Sequence, residues 1–321
     1  MKHILFFSLT GALLLSSLTA CGAPVSPSSS AAPSSASSSA AQAYTFTDDL
    51  GRTVTVEQPE RVAALIGSFA DVWCLAGGQS TLAAAAHDAW TSFDLDLSDT
   101  VADLGAVKEP NLEVLLAAQP DFILASCNTT ADLELESTFE SAGIPTAYFD
   151  IQSFDDYLNM LKICTDLTGY PENYETYGLQ VQEQVEAAKA RQDGSAPTVL
   201  TIRATGSSCK VKGSSDFLLG EMLSDLGCVN VADSETSLLE ELSLEAILAA
   251  DPDYIFVVLQ GSDAADAQET LEKTLLSNPA WGSLRAVQEG RFHTLEHSLY
   301  NLKPNARWGE AYEKLADILY P

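Results

Sequence analysis

The sequence predicts an α/β protein made of two lobes of similar size joined by a long helical spine. Three observations carry this. Short apolar runs of strand length alternate with helical segments in residues 44–152 and again in residues 195–321, which is the pattern of parallel α/β packing. Between them, SFDDYLNMLKICTDLTG and NYETYGLQVQEQVEAAKARQ read as helix with no strand inside, interrupted only near Gly169-Tyr170-Pro171. One fifteen-residue phrase also occurs twice, as PNLEVLLAAQPDFIL at 110–124 and LSLEAILAADPDYIF at 242–256, identical at eight positions with Glu113 and Glu245 in register. It reads as a helix, a Pro-Asp break and an apolar strand, once in each lobe, so the architecture itself is duplicated.

In chain order, residues 1–20 read as an export signal. MKH gives a positive start, ILFFSLTGALLLSSL is an apolar run short for a bilayer span, and LTAC follows. The small Thr19 and Ala20 before Cys21 resemble a bacterial lipobox, which would leave Cys21 as a lipidated N-terminus. Residues 21–43 are Ser, Ala and Pro with almost no charge, too polar and too small to bury a core, and read as a leash. The first lobe spans 44–152. TFTDDLGRTVTV is a hairpin around DDLG. RVAALIG is a buried strand, SFADVWCLAGG a helix stopped at Gly77-Gly78, and TLAAAAH a strand. PNLEVLLAAQ is a helix and DFILAS its strand; STFESAG and PTAYFD repeat that order. The spine covers 153–194. In the second lobe, 195–321, TVLTIRA is a strand, DFLLGEMLSDLG a helix, the second copy of the phrase follows, RFHTLE is a last strand, and PNARWGEAYEKLADILY a closing amphipathic helix.

A formal charge of −29 argues against a nucleic-acid partner, which needs a basic face, and against a polybasic membrane patch. It also makes any basic residue in a pocket conspicuous. Five cysteines follow Cys21, an odd number without metal-ligand spacing; they read as buried small side chains, with a Cys209–Cys228 bridge as an alternative. G-x-S-x-G, H-E-x-x-H and G-x-x-x-x-G-K are all absent, which weighs against a lipid-anchored hydrolase, the alternative from another class. His293 and His297 have i, i+4 spacing, but RFHTLEH reads as a strand entering a loop, where that spacing does not bring two rings to one metal.

The order hairpin, ERVAAL, PNLEVLLAAQPDFIL, spine, LSLEAILAADPDYIFV and NPAWGSLRAVQEGRFHTL resembles the helical-backbone substrate-binding proteins of ABC importers, which serve iron–siderophore, haem and cobalamin uptake. The resemblance covers Phe46 to Pro321. It is most specific in Asn278–Thr294, where Pro279, Trp281, Leu284, Ala286, Val287, Gly290 and Arg291 match the family pattern. It implies two Rossmann-like lobes with a ligand cleft between them, and only small hinge motion about a stiff spine. It also implies that Glu113 and Glu245, one per lobe, dock onto basic residues of a permease dimer that works with its ATPase. A glutamate in a first helical turn also complements the helix dipole, which is the competing reading.

Ligands of open α/β lobes sit beyond the carboxyl ends of the strands. That rule selects Ser68, Phe69, His87, Trp90 and Asn128 in the first lobe. In the second it selects Arg203, Lys210, Lys212, Gln260 and Tyr300. Arg203 comes after the apolar VLTI and either meets cargo or forms a structural ion pair. With Lys210 and Lys212 it favours an anionic or carbonyl-rich cargo. Trp73, within an apolar helix, reads as core. The chain is therefore expected to be a non-enzymatic, lipid-anchored binding protein on the extracytoplasmic face of the cell membrane. Its expected cargo is a siderophore-type iron chelate, with haem and cobalamin as alternatives. No cofactor is expected, and iron enters only as part of a chelate.

Overall fold

The computed structural model describes residues 43–215, 217–261 and 264–321. The export signal, Cys21 and nearly all of the leash lie outside the described residues. Within them no helix is long and apolar enough to cross a membrane.

The hairpin forms as the sequence predicts. β1 (Tyr44–Thr47) pairs antiparallel with β2 (Thr53–Val56), and Gly51 turns the chain at φ 77°. Arg52 fixes this hairpin to the first lobe. Its guanidinium meets buried Asp48 at 2.6 Å and Glu136 at 2.7 Å, and donates to the Thr146 carbonyl at 3.0 Å.

Each lobe is built on a five-stranded sheet. In the first, β3 (Val62–Ala64), β4 (Leu82–Ala85), β5 (Ala102–Asp103), β6 (Phe122–Ser126) and β7 (Thr146–Phe149) run parallel in the order β5-β4-β3-β6-β7. Strands β3, β4, β6 and β7 are buried along their whole length and almost wholly apolar, because both faces are covered, while β5, at one edge, ends in exposed Asp103. The second sheet holds β8 (Thr198–Thr205), β9 (Cys209–Lys212), β10 (Val229–Asn230), β11 (Tyr254–Gln260) and β12 (Phe292–Leu295). Its parallel order is β10-β8-β11-β12, with β9 added antiparallel to β8. The strand order changes direction between β3 and β6 in one lobe and between β8 and β11 in the other. Such switch points open a crevice at the carboxyl ends of the strands.

The spine is two helices. Phe154–Thr168 starts with a capping box, in which Ser153 and Asp156 satisfy each other's free amides, and stops at left-handed Gly169. A second run begins with Pro171 at its first turn and ends with Gln180–Lys189. The closing helix Trp308–Leu319 packs along it. Together they share one apolar core with both lobes: Phe69, Trp73 and Phe149 from the first sheet side, Tyr157 and Leu161 from the spine, Val199 and Phe256 from the second sheet, and Trp308 and Tyr312 from the closing helix. Separate cores fill the outer face of each sheet. A core continuous from lobe to spine to lobe resists large hinge motion, because opening it would expose these rings to water.

The two copies of the repeated phrase fold alike. Asn111 and Ser243 each cap a helix, Leu112–Ala117 and Leu244–Ala250, by accepting from the amide three residues on. Each helix ends before a left-handed residue, Gln119 at φ 51° and Asp251 at φ 40°. A proline comes next. Then Asp121 accepts from the Glu60 and Arg61 amides at 2.8 and 3.0 Å, while Asp253 accepts from the Thr198 amide at 2.9 Å and its hydroxyl at 2.7 Å. Each aspartate thus ties its own strand to the entry of the neighbouring one.

Candidate functional site

The carboxyl ends of the first sheet form an acidic rim. His87, exposed after β4, pairs through Nδ1 with Asp103 Oδ2 at 2.7 Å. Asp103 is held below the usual carboxylate range by the Gly105 amide and His87, which outweigh its partial burial. Asn128, exposed after β6, donates to Asp150 Oδ1 at 2.5 Å, as Gln152 does at 2.9 Å, and the Asp150 amide donates to Asp49 at 2.7 Å. Asn128 also lines a 390 Å³ pocket with Lys108, Thr129 and Thr130. Just beneath lies Asp132, fully buried, with Oδ2 accepting from the Ser126 amide at 2.8 Å and Oδ1 without a partner. Burial pushes its pKa up to about 7 against the pull of that hydrogen bond.

The second rim carries a cluster of basic side chains. β9 is a short strand whose Cys-Lys-Val-Lys alternation turns Cys209 and Val211 inward and leaves the two lysines on the other face. It sets Lys210 directly opposite Arg203. On the same face, two residues further along, Lys212 stands opposite Thr201. Arg203 is half-buried and Lys210 exposed, and neither has a carboxylate within ion-pair reach among the described residues. Like charges facing each other across two strands are destabilising. In a chain with 45 acidic and 16 basic residues, this pair has been left without the counter-ion that most other cations have. Among the described residues the structural ion pair, the alternative role for Arg203, does not form. Gln260, half-buried, ends β11 level with Thr205 of β8.

The lobes meet where the segment after β12 touches the first helix, Gly67–Leu75. Asn305, left-handed at φ 51°, donates through Nδ2 to the Ser68 carbonyl at 2.9 Å and to Asp71 Oδ2 at 2.8 Å. Burial raises the Asp71 carboxyl despite this bond. Beside this junction lies a 220 Å³ cavity lined from one lobe by Asp71, Ser92 and Phe93 and from the other by Ser298, Lys303 and Arg307.

Some predicted site residues are not in the cleft. Phe69 has no exposed surface and stands edge-on to Phe149 in the shared core. Tyr300 is 1% exposed and donates its hydroxyl to the Ala311 carbonyl at 2.9 Å. Both come after a strand end in sequence, but their side chains turn inward. Ser68 is 1% exposed; its carbonyl serves the junction while its hydroxyl has no partner. Trp90 is half-buried against the shared core, and Trp73 is core as expected, its indole donating to Thr81 at 3.0 Å. The Cys209–Cys228 alternative fails, since the cysteines among the described residues are free. His293 lies in β12 stacked on Tyr254 and Phe256, while His297 turns its Nδ1 to the Leu259 carbonyl at 2.8 Å. No group of three or more metal-ligating side chains occurs among the described residues. Glu113 and Glu245 are both exposed in the first turns of the duplicated helices, without an ion pair or side-chain hydrogen bond among the described residues. Lys303 escapes sequence reasoning, because no strand, motif or spacing marks it.

Two α/β lobes on a helical spine, each with polar side chains at the carboxyl ends of its strands, are the architecture of a binding protein that holds a small molecule between its lobes. The chain belongs to the family described as periplasmic binding protein, whose profile it matches over residues 62–299. These are non-catalytic, extracytoplasmic substrate-binding proteins of ABC transporters, of the iron-siderophore, haem and B12 type, and membership implies an ABC permease as partner and a small-molecule cargo. The chain is 25% identical over 223 residues to the iron-uptake system-binding protein of Bacillus subtilis, covering 68% of this chain and 67% of that one. It is 24% identical over 261 residues to the Fe(3+)-citrate-binding protein of the same organism, covering 79% and 78%. Its fold matches that of the siderophore-binding protein BauB, solved with a complex of acinetobactin and ferric iron. There the TM-score is 0.69 at 19% identity, over 87% of this chain and 99% of that one.

Proposed function

We propose that this protein captures a siderophore-type iron chelate outside the cell and delivers it to an ABC permease. The observation that carries the cargo reading is the cross-strand pair Arg203–Lys210, cationic and without a carboxylate partner, on the rim of an otherwise acidic chain. Ferric chelates of carboxylate and catecholate donors carry negative charge, and bound cargo of that kind supplies the missing counter-ion. The names of the two Bacillus relatives, both concerned with iron, point the same way. Lys212, Gln260, Asn128 and His87 complete the polar walls in this reading. Quenching of intrinsic fluorescence on titration with ferric citrate, haem and cyanocobalamin tests it. Ferric citrate should bind, and Arg203→Ala should weaken it by about 10- to 150-fold, as loss of a charge-assisted hydrogen bond worth roughly 1.5–3 kcal/mol requires. Saturable binding of haem or cobalamin with none of ferric citrate would reverse the cargo assignment.

Two further parts complete the proposal. Cys21 carries the lipid that holds the protein at the membrane, and Cys21→Ser should abolish metabolic labelling by a fatty acid and release the protein. Glu113 and Glu245 are the permease contacts, because each is exposed, unpaired and set at the same place in its lobe.

A further inference from the structure

Among the cations of the described residues, Lys303 occupies the least ordinary position. It is half-buried in the cavity at the junction of the lobes, and it forms no ion pair and no hydrogen bond there. The other charged groups of that cavity are already engaged. Arg307 is held by Glu296 at 3.1 Å and Glu310 at 2.7 Å, and Asp71 by Asn305 at 2.8 Å. Ser298 donates to Glu296 at 2.5 Å. The charge that Lys303 senses is Asp150, across the cleft on the first rim and beyond ion-pair distance, where Asn128 and Gln152 already donate to it. Burial lowers the Lys303 pKa more than Asp150 raises it, so its charge is under-compensated. A lysine that only needed solvent would extend its flexible stem outward. This one stays between the lobes, in a chain with carboxylates to spare.

We propose that Lys303 is a specificity-determining residue that anchors a carboxylate arm of the cargo at the lobe junction, so that the preferred chelate is a ferric polycarboxylate and not a neutral hydroxamate. This rests on the iron-chelate reading above and narrows it. With Arg203 and Lys210 on the second rim, Lys303 supplies a separate cationic contact, which suits a chelate bearing negative charge on more than one side. Leu75, Phe93 and Leu302 add apolar surface to the same cavity, where a charge-assisted contact is stronger than in open water.

The test compares wild type, Lys303→Gln and Lys303→Arg with two probes, ferric citrate and ferrichrome, a neutral trihydroxamate chelate. Thermal midpoints serve as the folding control, and Lys303→Met replaces Lys303→Gln if that variant is unstable. The expected result is at least a tenfold loss of ferric citrate affinity in Lys303→Gln, recovery to within about threefold in Lys303→Arg, and no change toward ferrichrome. Unchanged ferric citrate binding in Lys303→Gln overturns the proposal, as does an equal loss for both probes. Wild-type preference for ferrichrome leaves the iron reading standing and removes the role of Lys303. Failure of wild type to bind either chelate removes both.

Discussion

The two lobes share a phrase of sequence and the local structure it specifies, yet the side chains at their strand ends differ, with a cationic cluster on the second lobe only. The phrase supplies a cap, a left-handed stop, a proline and an aspartate that ties two strands, and these recur at matching positions. The residues at the strand ends do not recur. After β4, β6 and β7 stand His87 with Asp103, Asn128 and Asp150; on β8 and β9 stand Arg203, Lys210 and Lys212. Residues 44–152 contain only Arg52, Arg61 and Lys108 as basic side chains. Arg52 serves the hairpin, and Arg61 donates to the Ala118 and Gln119 carbonyls that end the first repeated helix. The comparison teaches that the repeated phrase specifies the same local scaffold twice, while the side chains at the strand ends, which the proposed function assigns to cargo, are set separately in each lobe.

The largest expected effect tests the feature the lobes have in common. Glu113→Arg and Glu245→Arg should each reduce transport and cargo-stimulated ATPase activity at least tenfold, because two contacts on one rigid body act together. Affinity for ferric citrate should stay within twofold of wild type, since cargo sits inside the cleft. Normal transport by the double variant would return both residues to complementing their helix dipoles.

A second test separates the lobes by pH. Asp132 keeps its proton in the folded state up to about pH 7, whereas the unfolded chain loses it near its ordinary 3.8. Stability is therefore fully present below about pH 4 and is lost as pH rises toward 7. In the other lobe, the Ser298 hydroxyl with Lys314 and Arg307 holds Glu296 at about 2, and Arg307 with Lys314 does the same for Glu310. Their contribution is present above 4.5 and lost as pH falls toward 2; both side chains are more than a third exposed, so solvent screens it. Asp132→Asn, which mimics the protonated acid, should stabilise the protein on the order of 3 kcal/mol at pH 8 and change little at pH 4. Urea unfolding at both pH values measures this, and equal shifts at the two would show that Asp132 is not the titrating group.

Most of the scaffold was legible because parallel strands covered on both faces are written as unbroken apolar runs, such as FILAS and YIFVVL, and because helix stops fall at Gly77, Gly143 and Gly169. The site was legible only in part. The strand-end rule locates backbone but does not give side-chain direction; Asn128 and Gln260 satisfy it and keep accessible surface, whereas Phe69 and Tyr300 satisfy it and still face the core. Arg203 stood out against an acidic chain, but its pairing with Lys210 depends on β9, four residues whose apolar–polar alternation is too short to specify a partner strand or register. Lys303 lacked any signal, since its position comes from the meeting of segments more than 200 residues apart in sequence, as the Asn305–Ser68 bond shows.

The ties made by the repeated aspartates should differ in strength. Asp253 accepts twice from Thr198 and pairs with Arg285 at 2.9 Å, half-shielded from water, while Asp121 accepts from two amides on an exposed edge. Asp253→Ala should cost about 2 kcal/mol and Asp121→Ala about 1 kcal/mol. Equal losses in thermal or urea unfolding would mean that the extra arginine contact contributes nothing.

The smallest effect offers the finest comparison, because it concerns the same backbone conformation in both copies. Gln119 and Asp251 hold left-handed φ angles that glycine adopts without the Cβ clash, worth roughly 1 kcal/mol and partly offset by the greater freedom of unfolded glycine. The Gln119 side chain is exposed, and its carbonyl, which Arg61 contacts at 3.2 Å, survives substitution. Gln119→Gly should therefore stabilise the protein by about 0.5 kcal/mol. Asp251 does more than turn the chain, since its Oδ1 accepts from the Arg285 amide at 2.9 Å. Removing that acceptor leaves the first amide of the short helix Arg285–Gln288 to water and offsets the relief of strain, so Asp251→Gly should be neutral or destabilising by about 0.5 kcal/mol. Opposite signs in the two variants, read from urea midpoints at constant slope, would show that the first copy uses this position only as a stop and the second also as a cap. Equal gains would show that the Arg285 contact forms without contributing, and that the two copies are equivalent in energy as well as in shape.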